Sequence, residues 1–121
     1  MIPRYRILLI AFSFLCFCLS GQTLPFDKIY GGSSCDEGVY ACPAINGGYV
    51  TFGKTKSFGS GDRDYYMVKT TVAGDTQWTK TFGTTDDEIL TSVQKVTGGY
   101  VMCGWKNENV KTIYLAKVDT V

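Results

Sequence analysis

The chain has 121 residues, 45% of them apolar and 19% charged, with a formal net charge of +1. That composition is too apolar and too weakly charged for a disordered tail, the length allows one domain, and the charge supplies no basic footprint for nucleic acid. Histidine is absent, which excludes His-based triads, His general bases and imidazole-containing zinc sites.

Residues 1–21 read as a secretory signal peptide. Arg4 and Arg6 open the segment, and Ile7 to Leu19 is a 13-residue run without charge. A bilayer core takes about 20 apolar residues, so the run suits a signal-peptide core, the alternative being an uncleaved membrane anchor. Ser20 and Gly21 are small enough to flank the cut, placing the mature start near Gln22. Cleavage takes Lys plus Arg from 12 to 10 against 11 acidic residues, a formal charge of −1, and leaves no membrane span. The expected location is secreted, periplasmic or at the cell surface, where disulfides are permitted. Three cysteines remain after cleavage. Cys35 and Cys42 flank the acidic turn Asp36-Glu37-Gly38 and are expected to pair. The alternative makes Cys42 a small buried hydrophobe and Cys35 a free loop thiol. Cys103, inside the strand-like run Tyr100 to Gly104, reads as a small core residue.

The region 22–121 is one pattern written twice, as repeat 1 (residues 26–74) and repeat 2 (residues 78–121). An offset of 52 carries Phe26-Asp27-Lys28-Ile29-Tyr30-Gly31 onto Trp78-Thr79-Lys80-Thr81-Phe82-Gly83. An offset of 51 carries Asp36-Glu37 onto Asp87-Glu88 and Gly47-Gly48-Tyr49-Val50 onto Gly98-Gly99-Tyr100-Val101. At an offset of 48, Tyr66-Met67-Val68-Lys69 falls on Tyr114-Leu115-Ala116-Lys117. Matched blocks in constant order with short indels mark a repeat architecture.

Each copy holds four strand candidates, short and rich in Val, Ile, Thr and aromatics. The first is Phe26 to Tyr30, matched by Trp78 to Phe82. The second is Val39 to Ile45, matched by Ile89 to Val96. The third is Tyr49 to Thr55, matched by Tyr100 to Trp105, and the fourth is Tyr65 to Val72, matched by Ile113 to Asp119. Gly47-Gly48, Gly98-Gly99 and Gly74 stand where tight turns need a positive φ. No window in the mature region carries a helical stripe. The fold class is therefore all-β, as β-propeller-like four-stranded antiparallel blades, about two of them. The recurring aromatics Tyr30/Phe82, Tyr49/Tyr100 and Tyr66/Tyr114 are expected to pack between blades rather than to hold a ligand, and Trp78 belongs to the core.

The string Gly-Gly-Tyr-Val-x-x-Gly, then Asp-x-Tyr-x-Val-Lys, a Gly-Asp turn, Gln-Trp-x-Lys-Thr-Phe-Gly and Asp-Asp-Glu resembles the repeat of secreted bacterial β-propeller proteins. It stands here as Gly47 to Gly53, Asp64 to Lys69, Gly74-Asp75, Gln77 to Gly83 and Asp86 to Glu88. The resemblance implies the fold and brings no catalytic residue with it. A closed propeller takes about four to eight blades, so an incomplete propeller is expected. Joining strands through the tightest turns makes Tyr49 to Val96 one full blade, with complementary half-blades at 26–45 and 100–119. Three outcomes stay open: a head-to-tail homo-oligomer closing a ring, missing further repeats in a longer gene product, or a two-sheet sandwich.

Asp62 and Asp64 alternate like calcium ligands in the polar stretch 57–64, but the further oxygen donors of a calcium loop do not follow. They remain ligand-binding candidates together with Trp105, whose ring at a strand end beside Lys106 can stack on a sugar. Asp36-Glu37 and Asp86-Asp87-Glu88 read as turn-makers through carboxylate-to-backbone hydrogen bonds. Neither a metal site nor a cofactor is expected, and no nucleophile–base pair can be named. The functional expectation is an exported, non-enzymatic binding or scaffold module recognising a glycan or a surface protein through blade loops. The alternative is an exported hydrolase or a fragment of a larger secreted multi-repeat enzyme.

Overall fold

A computed structural model describes residues 25–107 and 109–119. The signal-peptide segment lies outside the described residues. Among the described residues seven strands follow in chain order: β1 (Asp36–Pro43), β2 (Tyr49–Thr55), β3 (Asp64–Thr70), β4 (Thr76–Phe82), β5 (Asp87–Val96), β6 (Gly99–Asn107) and β7 (Lys111–Asp119). They form two antiparallel meanders, a four-stranded sheet β1-β2-β3-β4 and a three-stranded sheet β5-β6-β7. The expected all-β class is what the chain adopts.

The tight turns sit where glycine permits them. Gly47 and Gly48, at φ 79° and 70°, turn β1 into β2, and the Ala44 amide donates to the Gly48 carbonyl at 3.0 Å. Gly98 at φ 77° opens the matching turn between β5 and β6. Both first strands bulge near their start: the ladder shifts between Gly38 and Tyr40 in β1, and between Leu90 and Ser92 in β5. A bulge inserts one residue into the pleat, so Leu90 and Val93, three apart, both face the core.

The core lies between the sheets. Cys42, Val50, Phe52, Tyr65 and Met67 meet Leu90, Tyr100 and Met102, with Trp78, Phe82, Val93, Tyr114, Ala116 and Val118 packed around them. The Phe52 and Tyr100 ring centroids are 4.9 Å apart. The Tyr65 hydroxyl donates to the Tyr114 carbonyl at 3.2 Å, which ties the sheets together. Every residue of β3 is buried, because Tyr65 and Met67 face the second sheet while Tyr66 and Val68 face the other side. Tyr100 is buried, and among the described residues its hydroxyl finds no hydrogen bond of ordinary geometry. Burial, with the Cys42 thiol alongside, pushes its pKa up to about 12.

Four sequence expectations need correction. Phe26 to Tyr30 forms no strand. The segment runs along the far face of the first sheet, with the Phe26 ring 5.7 Å from Tyr49 and the Tyr30 hydroxyl donating to the Gly74 carbonyl at 2.7 Å. A strand requires a paired neighbour, and none of the described residues supplies one. The chain also divides differently: Tyr49 to Val96 is not one sheet, because residues 83–86 carry the chain from the first sheet to the second. The acidic blocks align one residue away from the expected offset. Asp36 pairs with Thr55 as Glu88 pairs with Lys106, which makes Glu88, not Asp87, the counterpart of Asp36. Finally, Cys35 and Cys42 are free. Cys35 precedes β1 and Cys42 lies near its far end, so at roughly 3.3 Å per residue about 23 Å separates them. A bridge needs Cα atoms within about 7 Å.

Candidate functional site: the carboxylate-tied loop end

One end of the two sheets gathers the starts of β1, β3, β5 and β7, together with the connections 31–35, 56–63 and 83–86. Acidic side chains bind these connections down. Asp36 accepts from the Gly32 amide at 2.8 Å, the Ser57 hydroxyl at 2.7 Å and the Thr55 hydroxyl. Thr55 in turn accepts the amides of Ser57 and Phe58 at 3.0 and 3.2 Å. Burial raises the Asp36 pKa, but the hydrogen bonds from Thr55, Gly32 and Ser57 together outweigh it and hold the carboxyl below its ordinary value.

Glu88 does the same for the next connection. It accepts from the Thr84 amide at 3.0 Å and the Thr84 hydroxyl at 2.6 Å, while its own amide donates to the Arg63 carbonyl at 2.7 Å. Asp64 ties the long loop by accepting the Ser60 and Gly61 amides, both at 3.1 Å. Gly83 stands between Asp64 and Glu88, and a methyl group there would strike Asp64 Oδ1 and Glu88 Oε2. Two carboxylates therefore face one small space. Burial, reinforced by the charge of Glu88, raises the Asp64 pKa against the pull of its two amides. Asp64 and Glu88 are 2% and 0% exposed, so the pair holds loops and is sealed from any substrate.

Ion pairs complete the rim: Lys56–Asp62 at 2.9 Å, Arg63–Asp87 at 3.2 Å, Lys106–Asp86 at 3.0 Å and Lys54–Glu37 at 3.1 Å. Asp62 is exposed, whereas Asp64 is buried, so the two share no ligand sphere. The structure brings Asp64 to Glu88 instead. Trp105 is half-buried on β6, with the Lys111 ammonium 4.2 Å from its ring centroid, a cation–π arrangement. The exposed Phe58 ring stacks on Tyr66 at 5.4 Å.

Sequence reasoning had placed Glu88 among turn-makers but missed its partnership with Asp64. The signal was Gly83, the last residue of the Trp-x-Lys-Thr-Phe-Gly string, where only a glycine leaves both carboxylates room. It also missed Lys69 at the opposite end. This buried ammonium donates to the Gly47 carbonyl at 2.6 Å, the Thr70 carbonyl at 2.9 Å and Gln77 Oε1 at 2.8 Å, fastening the β1–β2 turn to β3 and β4. Compared with protein-family models, with curated proteins and with solved structures, the chain matches none.

Proposed function

We propose that the chain is an exported β-propeller-type repeat module, its two sheets standing as blades, that binds a glycan or a protein surface through the carboxylate-tied loop end. The observation that carries this reading is the fastening of successive connections by Asp36, Asp64 and Glu88. Loops held in this way lose little conformational entropy on binding, which is what a recognition surface on a rigid scaffold requires. The tied end carries the exposed Asp62 and Phe58 on the connection between β2 and β3, and the Trp105–Lys111 pair on the second sheet. An aromatic ring with an ammonium against it suits a sugar, which offers C–H bonds on one side and hydroxyls at its edge, and the Asp62 carboxylate on the neighbouring connection adds an acceptor for hydroxyls.

A glycan array and a cell-surface binding assay test the proposal. Trp105→Ala and Asp62→Ala are expected to weaken binding about tenfold each, roughly 1.4 kcal/mol. Binding unchanged in both variants, or no binding to any sugar or surface protein, overturns it.

A further inference from the structure

Among the described residues, nothing pairs with the outer edge of β7, and nothing covers the face of the second sheet turned away from the first. Ile113 and Leu115 on that face are 85% and 64% exposed. Their repeat counterparts on β3, Tyr65 and Met67, are 0% and 3% exposed, because the second sheet covers them. The first sheet shows the complementary deficit. Tyr49 is 39% exposed, whereas its counterpart Tyr100 is 1% exposed. Beside it Tyr30, Thr51, Tyr66 and Val68 line an open cleft of about 140 Å³.

The segment 26–30 supplies the missing strand. By sequence it is the counterpart of β4, Phe26 matching Trp78 and Tyr30 matching Phe82. It lies unpaired on the far face of the first sheet, with Phe26 against Tyr49 as Trp78 packs against the core that contains Tyr100. We infer that the open edge and outward face of β7 take up segment 26–30 and the Tyr49–Tyr66 face of a second copy of this chain, repeating between copies the junction that joins the two sheets within one.

The register follows from the strands already paired. Within the chain, Tyr65 opposes Phe82, Met67 opposes Lys80 and Lys69 opposes Trp78. Moving β3 forward by 48 residues and β4 back by 52 sets Ile113 opposite Tyr30, Leu115 opposite Lys28 and Lys117 opposite Phe26 of the other copy. An unpaired apolar edge is a template for such strand addition. Donor and acceptor are different patches, so the contact is heterologous, and its repetition closes a ring or builds an open array.

The test uses the whole chain with Cys16→Ser, Cys18→Ser, Cys35→Ser and Cys103→Ser as background, the thiol of Cys42 being buried. Leu115→Cys and Lys28→Cys, both at exposed positions, are prepared separately with different tags, mixed, and treated with a short bis-maleimide. The expected result is a cross-linked pair in the mixture and little in either variant alone. Sedimentation is expected to show association that Ile113→Lys with Leu115→Lys abolishes, with an unchanged circular dichroism spectrum. A wild-type chain that sediments as a monomer at every concentration overturns the inference. So does an oligomer whose mixed variants cross-link no better than each alone.

Discussion

At the scale of single residues, the two aspartates that begin β1 and β3 pull stability in opposite directions with pH. Asp36 is held below its ordinary pKa, so its contribution is present above the unfolded value of 3.8 and is lost as pH falls through the folded one. Asp64 is raised, so its folded state is favoured below 3.8 and loses that advantage as pH rises through the folded value. Asp36→Asn places an amide donor against donors and is expected to cost about 1–3 kcal/mol at neutral pH. Asp64→Asn keeps an acceptor for the Ser60 and Gly61 amides, turns its NH2 toward Glu88, and is expected to raise the neutral-pH melting temperature. Thermal melts between about pH 3 and pH 7 check both signs, since both differences shrink toward the acidic end. The sequence showed Asp36 and Glu88 as turn-makers, because acidic side chains beside Gly and Ser favour local hydrogen bonds, and offered Asp64 as a ligand-binding candidate. It did not show which two would share a space, because that depends on residues 24 positions apart meeting across a sheet-to-sheet connection.

At the scale of elements, the turns and the run β2-β3-β4 were legible, and the partners of β5 and of segment 26–30 were not. Gly47-Gly48 and Gly98-Gly99 announce hairpins through φ alone. The two glycines of the first turn nevertheless differ in what they require. Gly47 faces open space, whereas a Cβ on Gly48 would collide with the Thr70 carbonyl. Gly47→Asn is therefore expected to cost less than about 1 kcal/mol, since Asn tolerates the left-handed region. Gly48→Ala combines backbone strain with overpacking and is expected to cost at least about 2 kcal/mol. Urea denaturation of the two variants gives the comparison. Phe26 to Tyr30 has the composition of a strand, but pairing is a property of two segments, and the β4-like pattern says nothing of whether β7-like backbone lies beside it. The disulfide expectation failed similarly. Proximity in sequence suggested a loop, and an extended strand drew the thiols apart.

At the scale of the whole molecule, one core serves both sheets, so neither is expected to melt alone. Phe52 lies in the first sheet and packs at a tilt against Tyr100 of the second. Phe52→Ala is expected to cost about 3–5 kcal/mol and to shift a single cooperative transition. Hydrogen exchange would then show protection lost in β5 and β6 as fully as in β2. Two separate transitions, with only β1 to β4 affected, contradict a shared core. The division into sheets was the part least visible beforehand. Loop length misled: the eight residues 56–63 stay within one sheet, while the four residues 83–86 cross between sheets. The extra residue in β5 also gives that strand one place where the chain's count can fall without a change of register. Excising Thr91 would erase the bulge and leave Leu90 and Val93 two apart on one face of a regular pleat, both still turned inward, whereas excising Gln94 would set Lys95 and Val96 on the faces opposite to those they hold now.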